Sequence, residues 1–167
     1  MAQPRIGHME QVLHIFSYLK CHLQSNVVFD PNEIIWNEDQ FNCYDWKDFY
    51  FEAKEPIPPN MPEPRGNPVQ MNVFCNSDHA GNKLARHSHT GIPIYLNSAP
   101  IKWFSKAQNT VESSTFGSEF IVMQICVDMI EALRYKLRMF GIPIEGGANV
   151  FCDNNSVVIN ATIQCHS

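Results

Sequence analysis

Charged residues are scarce in this sequence: Asp, Glu, Lys and Arg make up 17% of its 167 residues, against 44% hydrophobic residues. Such a composition does not fit a wholly disordered chain, and the length suits one domain with an appendage. No apolar run approaches the roughly 20 residues that cross a bilayer. Residues 1–11 also lack the apolar core of a signal peptide. We therefore expect an intracellular protein, cytoplasmic or nuclear, that is not secreted and has no membrane partner.

A basic signature of nucleic-acid binding is missing as well. The net charge is −5, and the acidity belongs to residues 1–70, where 5 Lys and Arg face 10 Asp and Glu. From Met71 onward, 7 basic residues balance 7 acidic ones. Charge alone therefore neither indicates nor excludes a nucleic-acid partner.

Cysteines at metal-binding spacing are also absent. None of the six forms a C-x-x-C pair, and Cys75, Cys126 and Cys152 fall inside apolar runs, where a small thiol packs well. We interpret the cysteines as free structural thiols in a reducing compartment.

The first third of the chain shows one helical pattern. Apolar residues recur at spacings of three and four between His8 and Leu23, which predicts a helix too short to be stable unless it packs on another surface. The run Asn26–Phe29, NVVF, is a short strand candidate. We assign residues 1–23 to a terminal helix.

Residues 24–70 form an acidic, proline-rich connecting segment. Six prolines between Pro56 and Pro68 cannot continue a helix or complete a strand ladder, so we predict an extended linker. Aromatic residues between Trp36 and Tyr50 either lay the segment on the domain or form a patch for a partner; we favour the anchoring interpretation.

From Met71 the chain shows the pattern of an α/β unit, residues 71–167. MNVFCNSD is a strand, and GIPIYLN and APIKWFSK form a hairpin around Asn97–Ser98. ANVFCD is a buried strand, and another helix begins at Asn154. Three antiparallel strands, a helix and a parallel fourth strand predict an α/β sheet with its site at the strand ends.

The helix between the hairpin and the fourth strand runs from about Ser114 to Phe140. Ser113 or Ser114 is placed to cap it, and Gly141 and Pro143 end it. Its basic residues near the C-terminus suit the helix dipole. The apolar face keeps steps of three and four, through Phe116, Phe120, Met123, Val127, Ile130, Leu133, Leu137 and Phe140.

Two acidic residues lie at positions where α/β sheets of this kind usually carry their functional sites. Asp153 closes an otherwise apolar strand, and Glu119 lies in the first turn of the long helix. Each alone reads as a surface or helix-terminal acid. Converging carboxylates repel each other unless a divalent cation neutralises them. Mg²⁺ held by carboxylates beside phosphate oxygens is an arrangement for phosphoryl transfer.

A metal site of this kind requires a third acidic residue, on the first strand. The position that faces the same point is Asn76, which is neutral and can ligate only weakly through its carbonyl oxygen. Asp78 keeps the same side of an extended chain and is a possible partial substitute.

Several runs together resemble the RNase H domain of copia-type (Ty/copia) retrotransposon Pol polyproteins. These are NSDHAGN with RHSHTGIPIYLN, APIKWFSKAQNTVESSTFGSEF, LRYKLRMFGIPIEG and VFCDNNSVV, and they cover nearly all of residues 71–167. The earlier stretch, with MEQVLHIFSYLK, DWKDFY and MPEPRG, resembles the segment that connects reverse transcriptase to RNase H in those polyproteins. The resemblance implies that the helix of residues 1–23 comes from the end of the reverse transcriptase region.

The resemblance implies an RNase H-like fold and hydrolysis of the RNA strand of RNA–DNA hybrids with two Mg²⁺ (or Mn²⁺) ions. Glu119 and Asp153 match two of the four metal-binding acids, and the first-strand Asp of the family falls on Asn76. The fourth acid, the fifth strand and the last helix belong to a segment past Ser167, so we expect a C-terminally truncated domain of weak or no activity. The implied partners are a hybrid and the reverse transcriptase domain of the parent polyprotein.

Further residues are candidates for substrate contact. Cationic and polar side chains able to reach phosphates include Arg86, His87, Lys102, Lys106 and Asn154. His87 and His89 share one predicted strand face, but nothing completes a zinc set beside them. Trp103 reads as a core or strand-face residue in preference to a base-stacking platform.

Three hypotheses follow. The first is a degenerate RNase H-like fragment without useful activity. The second is a working RNase H whose site is completed by Asp78 or by a partner chain. The third is a non-enzymatic interaction module that uses the aromatic segment Trp36–Tyr50.

Overall fold

The computed structural model describes residues 6–41, 44–48, 50–81 and 85–162. From Met71 onward its regular elements follow the predicted order. Before Met71, the described residues contain one α-helix, followed by a long irregular stretch with two short 3-10 turns, Glu38–Gln40 and Trp46–Asp48. In chain order the elements are α1 (Ile6–Cys21), β1 (Met71–Asp78), β2 (His89–Leu96), β3 (Ala99–Ala107), α2 (Thr115–Met139), β4 (Asn149–Cys152) and α3 (Asn155–Thr162).

The four strands form one mixed sheet in the order β3-β2-β1-β4. β1 pairs antiparallel with β2 and parallel with β4, and β2 pairs antiparallel with β3. Asn97 adopts a φ of 52° in the hairpin turn, a left-handed conformation that Asn tolerates well. The sheet confirms the predicted α/β class and is compatible with an RNase H-like fold.

The core lies between one face of the sheet and α2. Odd-numbered residues of β1 alternate inward, and the apolar ones among them, with Ile92 and Ile94 of β2, meet Val122, Cys126 and Leu137 of α2. Ser114 caps the helix by accepting a hydrogen bond from the Gly117 amide at 3.1 Å. Gly141 ends it with a φ of 70°, which a residue without a Cβ adopts readily.

The predicted core face of α2 is only partly right. Ile130 and Leu137 are buried, but Phe120, Val127 and Phe140 are exposed. The buried stripe instead runs through Ser118, Val122, Cys126, Ile130, Arg134 and Leu137. Three of these six are polar or small, so a hydrophobic pattern cannot reveal the stripe. Phe116 and Phe120 stack on each other, with ring centroids 5.8 Å apart, outside it.

Helix α1 forms as predicted, but, contrary to our expectation, it does not bury its apolar side chains on another surface among the described residues. Its apolar side chains remain exposed, with 62% of Phe16 open to solvent. The NVVF run is not a strand: residues 26–29 are irregular and exposed. No helix within the described ranges is both long enough and apolar enough to cross a membrane.

The connecting segment lies on the outer face of the sheet through aromatic side chains, which confirms anchoring for two of them. The Trp36 ring lies 4.5 Å from that of Phe151 and 6.2 Å from that of Phe74. Phe41 adds an edge contact at 5.4 Å to Phe151. Tyr44 and Tyr50 stay exposed, and Phe49 lies outside the described residues.

Residues 30–32 are fixed to the far end of the hairpin. The Asn97 amide donates to the Pro31 carbonyl at 2.7 Å, and the Ser98 hydroxyl donates to the Asn32 carbonyl at 2.8 Å. At the same end of the sheet, the buried Asn72 of β1 accepts a hydrogen bond from the side chain of Asn149 of β4 at 3.0 Å. The connecting segment therefore contributes polar contacts to the sheet at this end, in addition to its aromatic anchors.

The predicted buried strand β4 is in fact half-buried along its whole length. Among the described residues its only strand neighbour is β1, so β4 is an edge of the sheet. After β4 the chain turns directly into α3, and Val157 of that helix is buried in the protein.

Candidate metal site

The candidate site lies where β1 and β4 end side by side. The parallel register pairs Phe74 with Phe151 and Cys75 with Cys152. Asp153 follows Cys152 directly, as Asn76 follows Cys75, so the chain brings these two positions to the same edge of the sheet. This is the edge at which ligands bind in open α/β sheets.

Glu119 approaches this edge from α2. It is the fifth residue of the helix, which begins at Thr115, so it lies just past the first turn in which it was predicted. The N-terminal dipole therefore contributes less to holding a charge at Glu119 than we expected.

The structure brings the two predicted acids together with one thiol. A carboxylate oxygen of Glu119, one of Asp153 and the Sγ of Cys152 all lie within 4.8 Å of one another. The Oε2 atom of Glu119 is buried and has no hydrogen-bond partner. A buried carboxylate oxygen without a partner is costly, and a bound cation would supply a partner for such an atom.

The electrostatics of the cluster disfavour negative charge when no cation is present. Burial raises the pKa of Glu119, and the Asp153 charge raises it further, while the nearby Asn154 amide opposes both. The pKa of Cys75 rises to about 12, mainly because its thiol hydrogen-bonds to Cys126. Its hydrogen bond to Cys75, together with burial, likewise raises the pKa of Cys152. A divalent cation would reverse these preferences.

The first strand supplies two further candidate residues. Asn76 is exposed at this edge of the sheet, between buried Cys75 and Ser77. Asp78 is exposed at the end of β1, and its carboxylate folds over Gly81, in the space a Cβ there would need. Asp78 is not in the three-residue cluster found among the described residues.

The predicted substrate-contact residues are spread over the surface. Lys102 and Lys106 are exposed on β3, and three strand spacings, about 14 Å, separate β3 from β4. Arg86 is exposed with a φ of 55°, and His87 precedes β2, where its Nδ1 lies 3.2 Å from the Thr110 carbonyl. His87 and His89 therefore do not share a strand.

The structure defines the settings of two further side chains. Trp103 lies on β3 and is 75% exposed, which confirms a strand-face residue and excludes a core residue. Asn154 caps α3, since its Oδ1 accepts hydrogen bonds from the Ser156 and Val157 amides at 3.0 and 3.3 Å. Asn154 thereby fixes the turn that carries Asp153.

A buried glutamine that the sequence reading did not single out supports the site. Gln108 is 7% exposed, and its Nε2 donates to the Ser118 carbonyl at 2.9 Å. The same nitrogen lies 3.3 Å from the Thr90 hydroxyl and 3.4 Å from that of Ser77. Gln108 therefore ties β1 and β2 to the residue next to Glu119. In the sequence, the only feature that could have indicated this role of Gln108 is an isolated glutamine between a strand and a helix.

The donor set does not fit a pair of Mg²⁺ ions. Mg²⁺ takes oxygen ligands in near-octahedral geometry, and two ions need more carboxylates than Glu119 and Asp153 provide. The third donor in reach is the Cys152 thiol, which Mg²⁺ does not favour. Asn76 offers at most a neutral amide oxygen.

Comparison with known proteins finds two relatives. The chain is 28% identical over 101 residues to the retrovirus-related Pol polyprotein from transposon RE1 of Arabidopsis thaliana. It is 27% identical over 101 residues to the corresponding polyprotein from transposon RE2. Each match covers 60% of this chain and 7% of the relative. No protein-family model and no solved structure matches. The chain is thus similar to one segment of retrotransposon Pol polyproteins.

Proposed function

We propose that this chain is an RNase H-like unit derived from a copia-type retrotransposon Pol polyprotein, in which hydrolysis of the RNA strand of RNA–DNA hybrids is weak or absent. The similarity to two Pol polyproteins supports the retroelement origin. The sheet order and its parallel β1–β4 pair are compatible with the fold.

The convergence of Glu119 and Asp153 at the ends of two elements carries the proposal. The carboxylates of Glu119 in α2 and of Asp153, directly after β4, have oxygen atoms within 4.8 Å of each other, and the Oε2 atom of Glu119 is buried without a partner. Such an arrangement suits a cation that neutralises charge during phosphodiester hydrolysis. Lys102 and Lys106 lie on the strand three spacings away, exposed and able to meet phosphates of a bound duplex.

Weak activity follows from the residue at position 76. A neutral amide there removes one negative charge from the edge where cations would sit. Metal-ion positioning contributes many kcal/mol to such reactions, so the loss of one carboxylate costs orders of magnitude in rate. A hybrid can still bind through phosphate contacts, which do not depend on the metal.

The test is cleavage of a fluorescently labelled RNA–DNA hybrid in Mg²⁺ or Mn²⁺. We expect wild-type turnover near background and a gain of at least about tenfold, or 1.4 kcal/mol, from Asn76→Asp. Adding Glu119→Gln or Asp153→Asn should abolish that gain. The matched control is Asn109→Asp, the same chemical change at an exposed position outside the cluster.

The alternative of a working nuclease makes the opposite prediction. If Asp78 or a partner chain completes the site, wild type should cleave robustly and Asn76→Asp should add little. Strong wild-type turnover that disappears in Glu119→Gln would overturn weak activity and favour this alternative.

The interaction-module alternative uses the aromatic segment. The packing of Trp36 and Phe41 on Phe74 and Phe151 already occupies two of its rings. A pull-down that survives Glu119→Gln and Asp153→Asn but fails with Trp46→Ala and Phe49→Ala would support it.

A further inference from the structure

The cluster at the sheet edge combines two hard donors with one soft donor. Glu119 and Asp153 supply carboxylate oxygens, and Cys152 supplies a sulfur atom within 4.8 Å of both. Free thiols of Cys75 and Cys126 lie behind it in the core. Mg²⁺ binds oxygen ligands, so a site specific for Mg²⁺ would not need a sulfur ligand.

We propose that Glu119, Cys152 and Asp153 form a site for one thiophilic divalent cation, of the Zn²⁺ class, and that this site prefers such a cation to Mg²⁺. Zn²⁺ accepts mixed sulfur and carboxylate ligands in tetrahedral geometry, and transition metals bind such sets more tightly than Mg²⁺ does. The proposal rests on the proposed function only for the location of the site.

The unpartnered Oε2 of Glu119 gives an independent indication of a ligand. The atom is buried beside the cluster and has no hydrogen-bond partner among the described residues, while the Asn154 side-chain amide interacts with the same carboxylate and lowers its pKa. A bound cation would supply the missing partner and also offset the repulsion between Glu119 and Asp153. The raised pKa of Glu119 agrees with this environment.

The geometry requires only a small closure. With metal–ligand distances of about 2.0–2.3 Å, neighbouring ligand atoms of a tetrahedral site lie about 3.5 Å apart. The three atoms, now within 4.8 Å of each other, would approach by about 1 Å. Asp153 is exposed, so its side chain can rotate, and the same opening leaves the fourth position to water.

Binding replaces the thiol proton of Cys152 by the metal, and the proton passes to solvent or buffer. Cys75 stays protonated at neutral pH because its pKa is about 12. Its thiol donates to the Phe151 carbonyl at 3.5 Å and also contacts the Cys152 thiol, so it holds the ligand in place from the core side. A site filled this way does not hold a pair of Mg²⁺ ions for hybrid cleavage.

The experiment uses the full chain with Cys21, Cys43 and Cys165 replaced by Ser, so that only the three core thiols remain. Co²⁺ serves as the spectroscopic probe, because thiolate-to-cobalt absorption reports a sulfur ligand directly. We expect this absorption on titration with Co²⁺, its loss on adding Zn²⁺, and no change with excess Mg²⁺. Calorimetry with Zn²⁺ gives the affinity.

Variants assign the ligands. Cys152→Ser should remove the absorption and weaken Zn²⁺ binding by at least about 100-fold, whereas Cys126→Ser, a matched change at a core thiol outside the cluster, should retain both. Asp153→Asn, at an exposed position, should weaken binding without unfolding the protein and keeps the test valid if Cys152→Ser does not fold. Circular dichroism without metal monitors folding.

Three results would overturn the proposal: absorption that survives Cys152→Ser, Zn²⁺ affinity unchanged by Asp153→Asn, or competition by Mg²⁺ at equal concentration. Hybrid binding, followed by fluorescence anisotropy on the same samples, separates the two proposals. Hybrid binding without Zn²⁺ binding refutes the zinc site alone. Zn²⁺ binding without hybrid binding counts against the nuclease-like function alone.

Discussion

Glu55 of the connecting segment and Arg134 of α2 form a two-pronged ion pair across 79 residues of sequence, with N–O distances of 3.0 and 2.6 Å. Arg134 is only 6% exposed and also donates to the Gly146 carbonyl at 2.8 Å. Arg138 contacts the same carboxylate at 2.6 Å. The pair fastens the proline-rich segment to the helix that carries Glu119.

Glu55→Gln should destabilise the protein by about 2 kcal/mol, because it leaves the buried Arg134 guanidinium without a counter-ion. The expected loss is smaller than for a fully buried pair because Glu55 is 34% exposed and partly screened by solvent. Urea unfolding followed by circular dichroism measures the change. Glu52→Gln, at an exposed position, is the matched control. Equal stability of both variants would contradict the pairing.

The same ion pair predicts an acid-dependent loss of stability. Hydrogen bonding to Arg134 lowers the pKa of Glu55 from 4.5 to about 2, against an opposing effect of burial. A lowered pKa means that the stabilisation is fully present above pH 4.5 and disappears as the pH falls to about 2. The difference in unfolding free energy between wild type and Glu55→Gln should shrink across this window. A difference that grows toward low pH would contradict the sign.

Trp36→Ala should destabilise the protein by about 2–3 kcal/mol, less than for a fully buried tryptophan, because Trp36 is half-buried against Phe151 and Phe74. Ile35→Ala removes a neighbouring side chain that is 97% exposed and should change stability by less than about 0.5 kcal/mol. Calorimetric unfolding compares the two. Similar values for both variants would show that the aromatic segment does not stay on the sheet.

Gln108→Glu should destabilise the protein by about 1–3 kcal/mol, because an ionised carboxylate cannot donate to the Ser118 carbonyl and is itself buried. Gln124→Glu makes the same change at an exposed position of α2. The measurement is chemical denaturation at neutral pH. Because Gln108 holds the turn next to Glu119, Co²⁺ affinity should also fall in Gln108→Glu but not in Gln124→Glu.

Phe16→Ser should leave the stability of the sheet unchanged within about 0.5 kcal/mol, since Phe16 is exposed on α1. Thermal unfolding monitored by near-UV circular dichroism reports the sheet's aromatic packing. A loss of more than about 1 kcal/mol would mean that α1 packs on the domain in solution.

The sequence predicted the order and kind of the elements from Met71 onward. Strand alternation placed β1, and Asn97–Ser98 placed the hairpin turn, because these signals are local. The buried face of α2 was not predictable from hydrophobicity. Arg134 lies in that face only because Glu55, 79 residues away, neutralises it, and no local pattern contains that pairing.

The candidate site was predicted in part for the same reason. The convergence of Glu119 and Asp153 follows from the element order, which sequence patterns indicate. Cys152 read as a core thiol because it is surrounded by apolar residues, and only the geometry shows that its sulfur also faces the two carboxylates. Gln108 was invisible because its three acceptors belong to three different elements.

The position of β4 at the edge of the sheet has a consequence for hydrogen exchange. Backbone amides of β1 are flanked by strands on both sides, so they should exchange only when the sheet unfolds as a whole. Those of β4 that do not pair with β1 can exchange through smaller openings. Cys152 therefore lies on β4, the strand whose amides exchange faster, whereas Cys75, its partner in the strand register, lies on β1, whose amides exchange most slowly. A cation bound at Cys152 should slow exchange on β4 well before it affects β1.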